Sequence, residues 1–379
     1  NSYEAINVHH SSRIFYGQNI TNSTDCYFSY NLSGCINCFG CVNLRNKSNH
    51  WFNEPISREE FEKRLSLVFG SYNTIEEVKG KYEEFRIKFP HRENNNIKTQ
   101  DCIGDYLSEC KNVHNSLEVT KGENCKDLFS SKEIKDSRGV FGYGIGAEYL
   151  LETVSTGHSS NVIGSYAIDQ SMDIQYSFSC FPSNKYLIGC DGLKNSEYCI
   201  LNKQYSKEEY EKIKEHIIKE LTDLGAYGLM MPPELSPFAY NETIGQDNMP
   251  LTKEEAAAQG FRWEDDIQKT EGKETLKPEE IRDHIRDVED SITKEVLACV
   301  DCNRNYRITE AELLFYRKLI LPIPRKCFYC RHKNRIERRG PYKFWDRHCA
   351  KCNKDIVTNY APNRPEIVYC EKCYQQEVY

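Results

Sequence analysis

Residues 7–54 fall into four rows of twelve: NVHHSSRIFYGQ (7–18), NITNSTDCYFSY (19–30), NLSGCINCFGCV (31–42) and NLRNKSNHWFNE (43–54). Asn7, Asn19, Asn31 and Asn43 open the rows, each followed by an aliphatic residue. The eighth column reads Ile14, Cys26, Cys38, His50, and the ninth reads Phe15, Tyr27, Phe39, Trp51. A short fixed period of this kind predicts a β-solenoid, in which short strands lie on the preceding unit and equivalent side chains stack about 4.8 Å apart. Asn suits an inward corner, where stacked amides hydrogen-bond along the ladder, and small apolar Cys packs inside such a stack. Twelve residues make either one coil or half of a wider one. The aromatic column favours half a coil or an outward-facing position.

The step returns beyond residue 100 at Asn112, Asn124 and Asp136, and continues through Glu148, Asn161 and Asp173. A longer duplication overlies it. Cys41–Lys63 aligns without gaps on Cys190–Lys212, with nine identities in 23 positions. Both copies lead into a capping box, Ser57-Arg-Glu-Glu60 and Ser206-Lys-Glu-Glu209, so each repeat array is expected to end in a helix that covers its open edge. The first helical stretch leads on to about residue 98, with a second near 75–88; the other array's helix is placed at 207–224. The fold class is therefore mainly β: a duplicated β-solenoid with capping helices, then two small zinc-ribbon or treble-clef-like modules. The expected divisions are 1–98 and 99–235 for the two arrays, 236–298 for a loop-rich acidic connector, and 299–345 and 346–379 for the two modules. Within the connector, Thr252 caps a short helix, and Ile281, Ile285, Val288, Ile292 and Val296 form an apolar docking stripe.

The modules rest on cysteine spacing. Of 18 cysteines, eight form CxxC pairs: Cys299/Cys302 with Cys327/Cys330, and Cys349/Cys352 with Cys370/Cys373. Two knuckles that bring four thiolates together match tetrahedral Zn²⁺, so two structural zinc ions are the expected cofactors, with disulfide pairs as the competing reading. A set of four Cys is closed, unlike a catalytic site, which keeps a position open. A helix is expected at 309–318, and 355–360 with 365–369 reads as a two-stranded ribbon. The remaining ten cysteines include Cys35, Cys38 and Cys41, whose spacing also suits an iron–sulfur cluster. A third metal site at Cys26, Cys38 and His50 competes with plain packing in the stack.

With 39% hydrophobic and 28% charged residues and a mean hydropathy of −0.70, the chain reads as globular. No apolar run approaches the ~18 residues that span a bilayer, so no membrane association and a cytoplasmic location are expected. The first residue is Asn1 rather than Met, which leaves an incomplete N-terminus as part of that expectation. Net charge is −7, yet 299–379 carries 17 Lys and Arg against 9 Asp and Glu. Arg325–Arg347 concentrates this excess. Arg325, Lys326, Arg331, Lys333, Arg335, Arg338, Arg339, Lys343 and Arg347, with Trp345, are candidate nucleic-acid contacts, since cations with interleaved aromatics suit phosphate contact and base stacking.

Cys299-x-Asp301-Cys302, Tyr306, Glu312 ahead of Phe315-Tyr316, and Pro324-Arg325-x-Cys327-x-x-Cys330-Arg331 resemble the probable zinc-ribbon domain of bacterial proteins. That resemblance covers 299–331 only. Gly189–Tyr205 and Tyr360–Cys373 resemble segments of uncharacterised proteins of metagenomic, candidate-phyla-type bacteria. The resemblance implies zinc and a shared architecture, and no reaction. Gly142-Tyr-Gly-Ile-Gly146 lacks the Lys-Ser/Thr of a phosphate loop, and no triad or paired carboxylates are legible. The leading expectation is a zinc-binding, non-enzymatic binding or scaffold protein with an unknown protein partner. A nucleic-acid-binding protein acting through 325–347 is the alternative, and an enzyme with a site in the solenoid groove is the second alternative. Oligomeric state is not legible.

Overall fold

The computed structural model describes all 379 residues, Asn1–Tyr379. From Glu4 to Phe52 every third residue has a positive φ, and Asn occupies eight of these left-handed positions. Asn tolerates that region better than other non-glycine residues, which is one reason it recurs. The residue after most of the left-handed ones points inward. Ile14, Ile20, Cys26, Leu32, Cys35, Cys38 and Cys41 are all at most 1% exposed and form one apolar column. The working period is therefore three within twelve.

Each twelve-residue unit supplies two strands to two parallel sheets. One sheet runs through Ser2–Tyr3, Ser12–Phe15, Thr24–Tyr27, Ile36–Phe39 and Ser48–Trp51, and the other through Ile6–His9, Gln18–Thr21 and Tyr30–Ser33. The register is constant: Ile14 pairs with Cys26, Cys26 with Cys38, and Cys38 with His50. Twelve residues thus return the chain to the same lateral position in its sheet. The amide ladder exists as two separate pairs, with Asn7 donating to Asn19 at 2.9 Å and Asn31 to Asn43 at 3.0 Å, while Asn19 donates to Asn95 instead of Asn31. It is not inward, however. The asparagines sit on the outer side of each bend, because the residue that follows takes the interior. The ninth-column aromatics also face outward.

A third sheet, of ten strands and parallel except at its last pair, spans Ile103–Gln204. Its inner column includes Val113, Leu128, Ile134, Val140, Leu150, Val162, Ile174, Leu187 and Cys199, all buried. The step is 12 except at three places: Ile103 pairs with His114, 11 apart, before the register shifts at Gly104, and two later pairs are longer by one. Lys135 pairs with Glu148 and Met172 with Lys185, both 13 apart. The first extra residue enters at the glycine-rich run 142–146, where Gly142, Gly144 and Gly146 all have positive φ. The left-handed position there is Tyr149 rather than the expected Glu148, and the phase recovers at Asn161 and Asp173.

Each array ends alike. An antiparallel strand, Glu54–Pro55 or Lys203–Gln204, folds back on the last parallel strand. A helix follows: α1 (Arg58–Val68), continued by α2 (Tyr72–Arg86), in one copy and α3 (Lys207–Asp223) in the other. The aligned residues Phe61 and Tyr210 lie edge-on to Trp51 and Tyr198, at 6.0 and 5.6 Å between ring centroids. The connector carries α4 (Ile244–Asn248) and α5 (Lys253–Ala258), the latter capped by Thr252 as expected. Ile281, Ile285, Val288 and Ile292 are buried on three short 3₁₀ turns, while Val296 is half-buried.

The C-terminal part adds α6 (Glu310–Leu319), α7 (Phe328–Arg339) and α8 (Glu371–Val378). The expected ribbon between 355–360 and 365–369 does not form. Asp355–Thr358 pairs antiparallel with Trp345–His348, and Ile367–Tyr369 pairs parallel with Pro90–Arg92 far upstream. The upstream segment wins because it also offers the second module an ion pair, Arg92 with Glu371 at 2.8 Å, and the Glu93 carboxylate to the Glu371 amide at 2.9 Å. The first module is equally committed. Leu297, Ile308, Leu313, Tyr316, Leu321 and Ile323 share one core with Phe15, Tyr27, Phe28, Phe39 and the helices α1 and α2.

Leu32 is 1% exposed in the inner column. Leu32→Ala is expected to cost about 2–5 kcal/mol, read from the denaturant midpoint, because rungs above and below hold the backbone and prevent collapse of the cavity.

Candidate metal centres

The two Cys₄ sets are built alike. A two-stranded hairpin leads into a knuckle, and the second pair sits at a helix start. In the first, Leu297–Ala298 pairs with Asn305–Tyr306, the Cys299 amide donates to Arg304 O at 3.0 Å, and Asn303 takes a positive φ at the turn. In the second, the Cys349 amide donates to Lys354 O at 2.8 Å and Asn353 takes the equivalent conformation. Cys327 and Cys370 are the N-caps of α7 and α8, and each donates its amide to the sulfur of Cys299 or Cys349 at 3.2 Å. A thiolate at a helix start is favoured by the unpaired amides there.

All four sulfurs of each set lie within 4.8 Å of one another. Cys302 and Cys327 are 3.8 Å apart, and Cys352 and Cys370 are 3.7 Å apart. A tetrahedron with Zn–S near 2.3 Å has an edge of about 3.8 Å, so these separations suit zinc and exceed any disulfide bond. No disulfide joins any of the 18 cysteines. Burial pushes the thiols of Cys299 and Cys349 up, but amide donors outweigh it, from Cys327, Asp301 and Cys302 in one case and Cys370, Cys352 and Lys351 in the other. The results are about 7 and about 6. Burial dominates at Cys373, which rises to about 12. The four sulfurs of each set would hold a divalent cation, whose charge would favour their thiolate forms. No position is left open for a substrate.

The remaining cysteines lie elsewhere. Cys26, Cys38 and His50 stack in register, but they are not among the groups whose ligand atoms converge. His50 turns Nδ1 to the Ser48 carbonyl at 2.9 Å, and the Cys41 thiol points at the His50 carbonyl at 3.5 Å. Inner Ser and Cys are interchangeable in role. Ser23 donates to Thr21 O at 2.8 Å and accepts the Cys35 amide at 3.0 Å; Cys110 lies 3.3 Å from Ser108 O and accepts the Gly122 amide at 3.4 Å. Burial raises the thiols of Cys110, Cys180 and Cys190, and pushes Cys125 up to about 11.

Most of the basic run is turned inward. Arg331 and Arg335 reach Glu4, at 3.6 and 2.7 Å; Arg339 reaches Glu118 at 3.2 Å; Lys326 reaches Asp301 at 2.8 Å. Arg325 lies over Tyr72 and donates to Ile281 O, Arg338 donates to Tyr16 O, and Arg347 to the carbonyls of Tyr360 and Ala361. Lys343 stacks over Trp345, and only Lys333 and Lys343 remain exposed. The sequence could not show this, since Glu4 and Glu118 are distant acids with no local pattern.

A buried network also joins α2 to the second module. Arg86 donates to His91 Nε2 at 2.7 Å and to Glu366 at 3.4 Å; His91 Nδ1–H donates to Phe89 O, and Arg364 donates to Glu366. Burial, then Arg86, lowers His91 to about 3. Burial opposes ionisation of Glu366, but Arg364 and Arg86 overcome it and hold it at about 2. No protein-family model matches the chain, and no curated protein matches it.

Both shifts act in one direction. The folded pKa is depressed for His91 and for Glu366, so their stability is full above the unfolded values, about 6.5 and 4.5. It is lost as pH falls, first through His91 and then towards about 2 through Glu366. His91→Leu should flatten the pH 6.5–4.5 limb of a melting-temperature profile and leave the lower limb. Metal analysis of purified protein should give two Zn per chain, and one in Cys327→Ser. Because the first module shares its core with the N-terminal array, that variant should also melt in one transition several degrees lower.

Proposed function

We propose that the chain is a duplicated β-solenoid binding or scaffold protein whose two zinc ions are structural. The observation that carries this reading is the placement of both closed Cys₄ sets at the base of helices that press on the repeat arrays. Helix α7 starts at Cys327 and lays Arg331, Arg335 and Arg338 against Glu4 and Tyr16. Helix α8 starts at Cys370 and brings the Tyr374 hydroxyl to Asn43 at 2.7 Å and Tyr379 to Arg45 at 2.9 Å. Zinc on this reading fixes the ends of a rigid, extended parallel surface, and the outer residues of the ladder rungs are free to vary with the partner. The alternative as a nucleic-acid binder loses support from the inward commitment of 325–347.

Electrophoretic mobility with RNA and DNA at low salt separates the two. The expected result is no salt-dependent shift. A shift that weakens steeply with salt and disappears when Lys333 and Lys343 become Ala would favour the nucleic-acid reading instead.

A further inference from the structure

Between α2, α7 and the edge of the first array lies a cleft of about 520 Å³. That is the size of a small-molecule site. Its floor is the stacked pair Tyr16 and Phe28, with ring centroids 4.6 Å apart at 13°. Eight Lys and Arg side chains line it against four Glu. Internal pairing does not use up this excess. Arg338 touches only the Tyr16 carbonyl, at 3.4 Å, and Arg325 has no carboxylate partner.

Three buried polar atoms of the lining are also without partners: Tyr82 Oη, Arg325 Nε and Arg331 Nε. Tyr82 is 2% exposed, and burial raises its pKa, so its hydroxyl remains a donor. Buried donors left without partners are costly, so a ligand that brings acceptors is favoured there. Phosphate takes several Arg donors at once, and an aromatic body suits the ring-lined floor.

We propose that this cleft binds a small phosphorylated molecule with an aromatic body, its phosphates held by Arg338, Arg325 and Arg331 and by the Tyr82 hydroxyl. This site is independent of the scaffold reading, and neither zinc ion takes part in it.

Isothermal titration calorimetry of the full zinc-loaded chain tests it, with inorganic pyrophosphate and ADP as probes. Both should bind, ADP more tightly. Arg338→Ala should weaken both by about 10-fold or more with two zinc ions retained. Tyr82→Phe should weaken them without lowering the melting temperature, since it removes an unpaired hydroxyl. Absence of heat with either probe at millimolar concentration would overturn the proposal. So would equal affinity in the wild type and both variants, or binding of an RNA oligonucleotide with none of pyrophosphate.

Discussion

A chain that bends every three residues turns backbone amides and carbonyls towards its own interior, where water cannot reach them. Unpaired, each would cost a substantial part of a domain's net stability. The inner Ser and Cys side chains meet this constraint. One atom takes the amide of the next unit and returns a proton to a carbonyl of its own, as Ser23 does between Thr21 and Cys35. Ser159 and Ser165 repeat the pattern with Ser171 and Ser177. Aliphatic residues fill the remaining inward places, so the column is at once a hydrogen-bonded chain and an apolar core. Cys110 and Cys190 play the same part with sulfur, and the other buried cysteines of the arrays point their thiols at carbonyls, which suits a small, weakly polar side chain.

A stack of this kind has open ends and exposed outer rungs, and the rest of the molecule answers those two problems. Helices α1 and α3 close equivalent edges with Phe61 and Tyr210. The C-terminal modules then bind across the first array. Each brings a Cys₄ set, and metal ligation there would supply rigidity that a small core cannot. The contacts they make are long in sequence: Glu4 with Arg335, Arg92 with Glu371, Asn43 with Tyr374.

What was legible in the sequence was whatever repeats or sits close in the chain. The twelve-residue step, the Ser206 capping box, the knuckle pairs and most of the apolar stripe 281–296 carry local signals and appear in the structure; Ser57 caps α1 without a return bond from Glu60, and Val296 is only half-buried. The period of three was hidden because its inward residues alternate among Ile, Leu, Cys, Ser and Gly, which no single hydrophobic pattern captures. The Asn column was found but assigned to the inside, since its backbone role outside cannot be told from its amide. Pairing of 367–369 with 90–92, the inward turn of the basic run and the cleft beneath α7 depend on segments hundreds of residues apart. Local spacing says nothing about those.

The central claim is that eight cysteines are metal ligands in two all-sulfur sets and ten are packing thiols. Zinc K-edge X-ray absorption of the purified chain, with zinc content measured on the same sample, tests it most directly. The account predicts four sulfur neighbours per zinc at about 2.3 Å with two zinc ions per chain. A first shell containing nitrogen or oxygen, or a third equivalent of metal drawing on Cys26, Cys38 and His50, would contradict it.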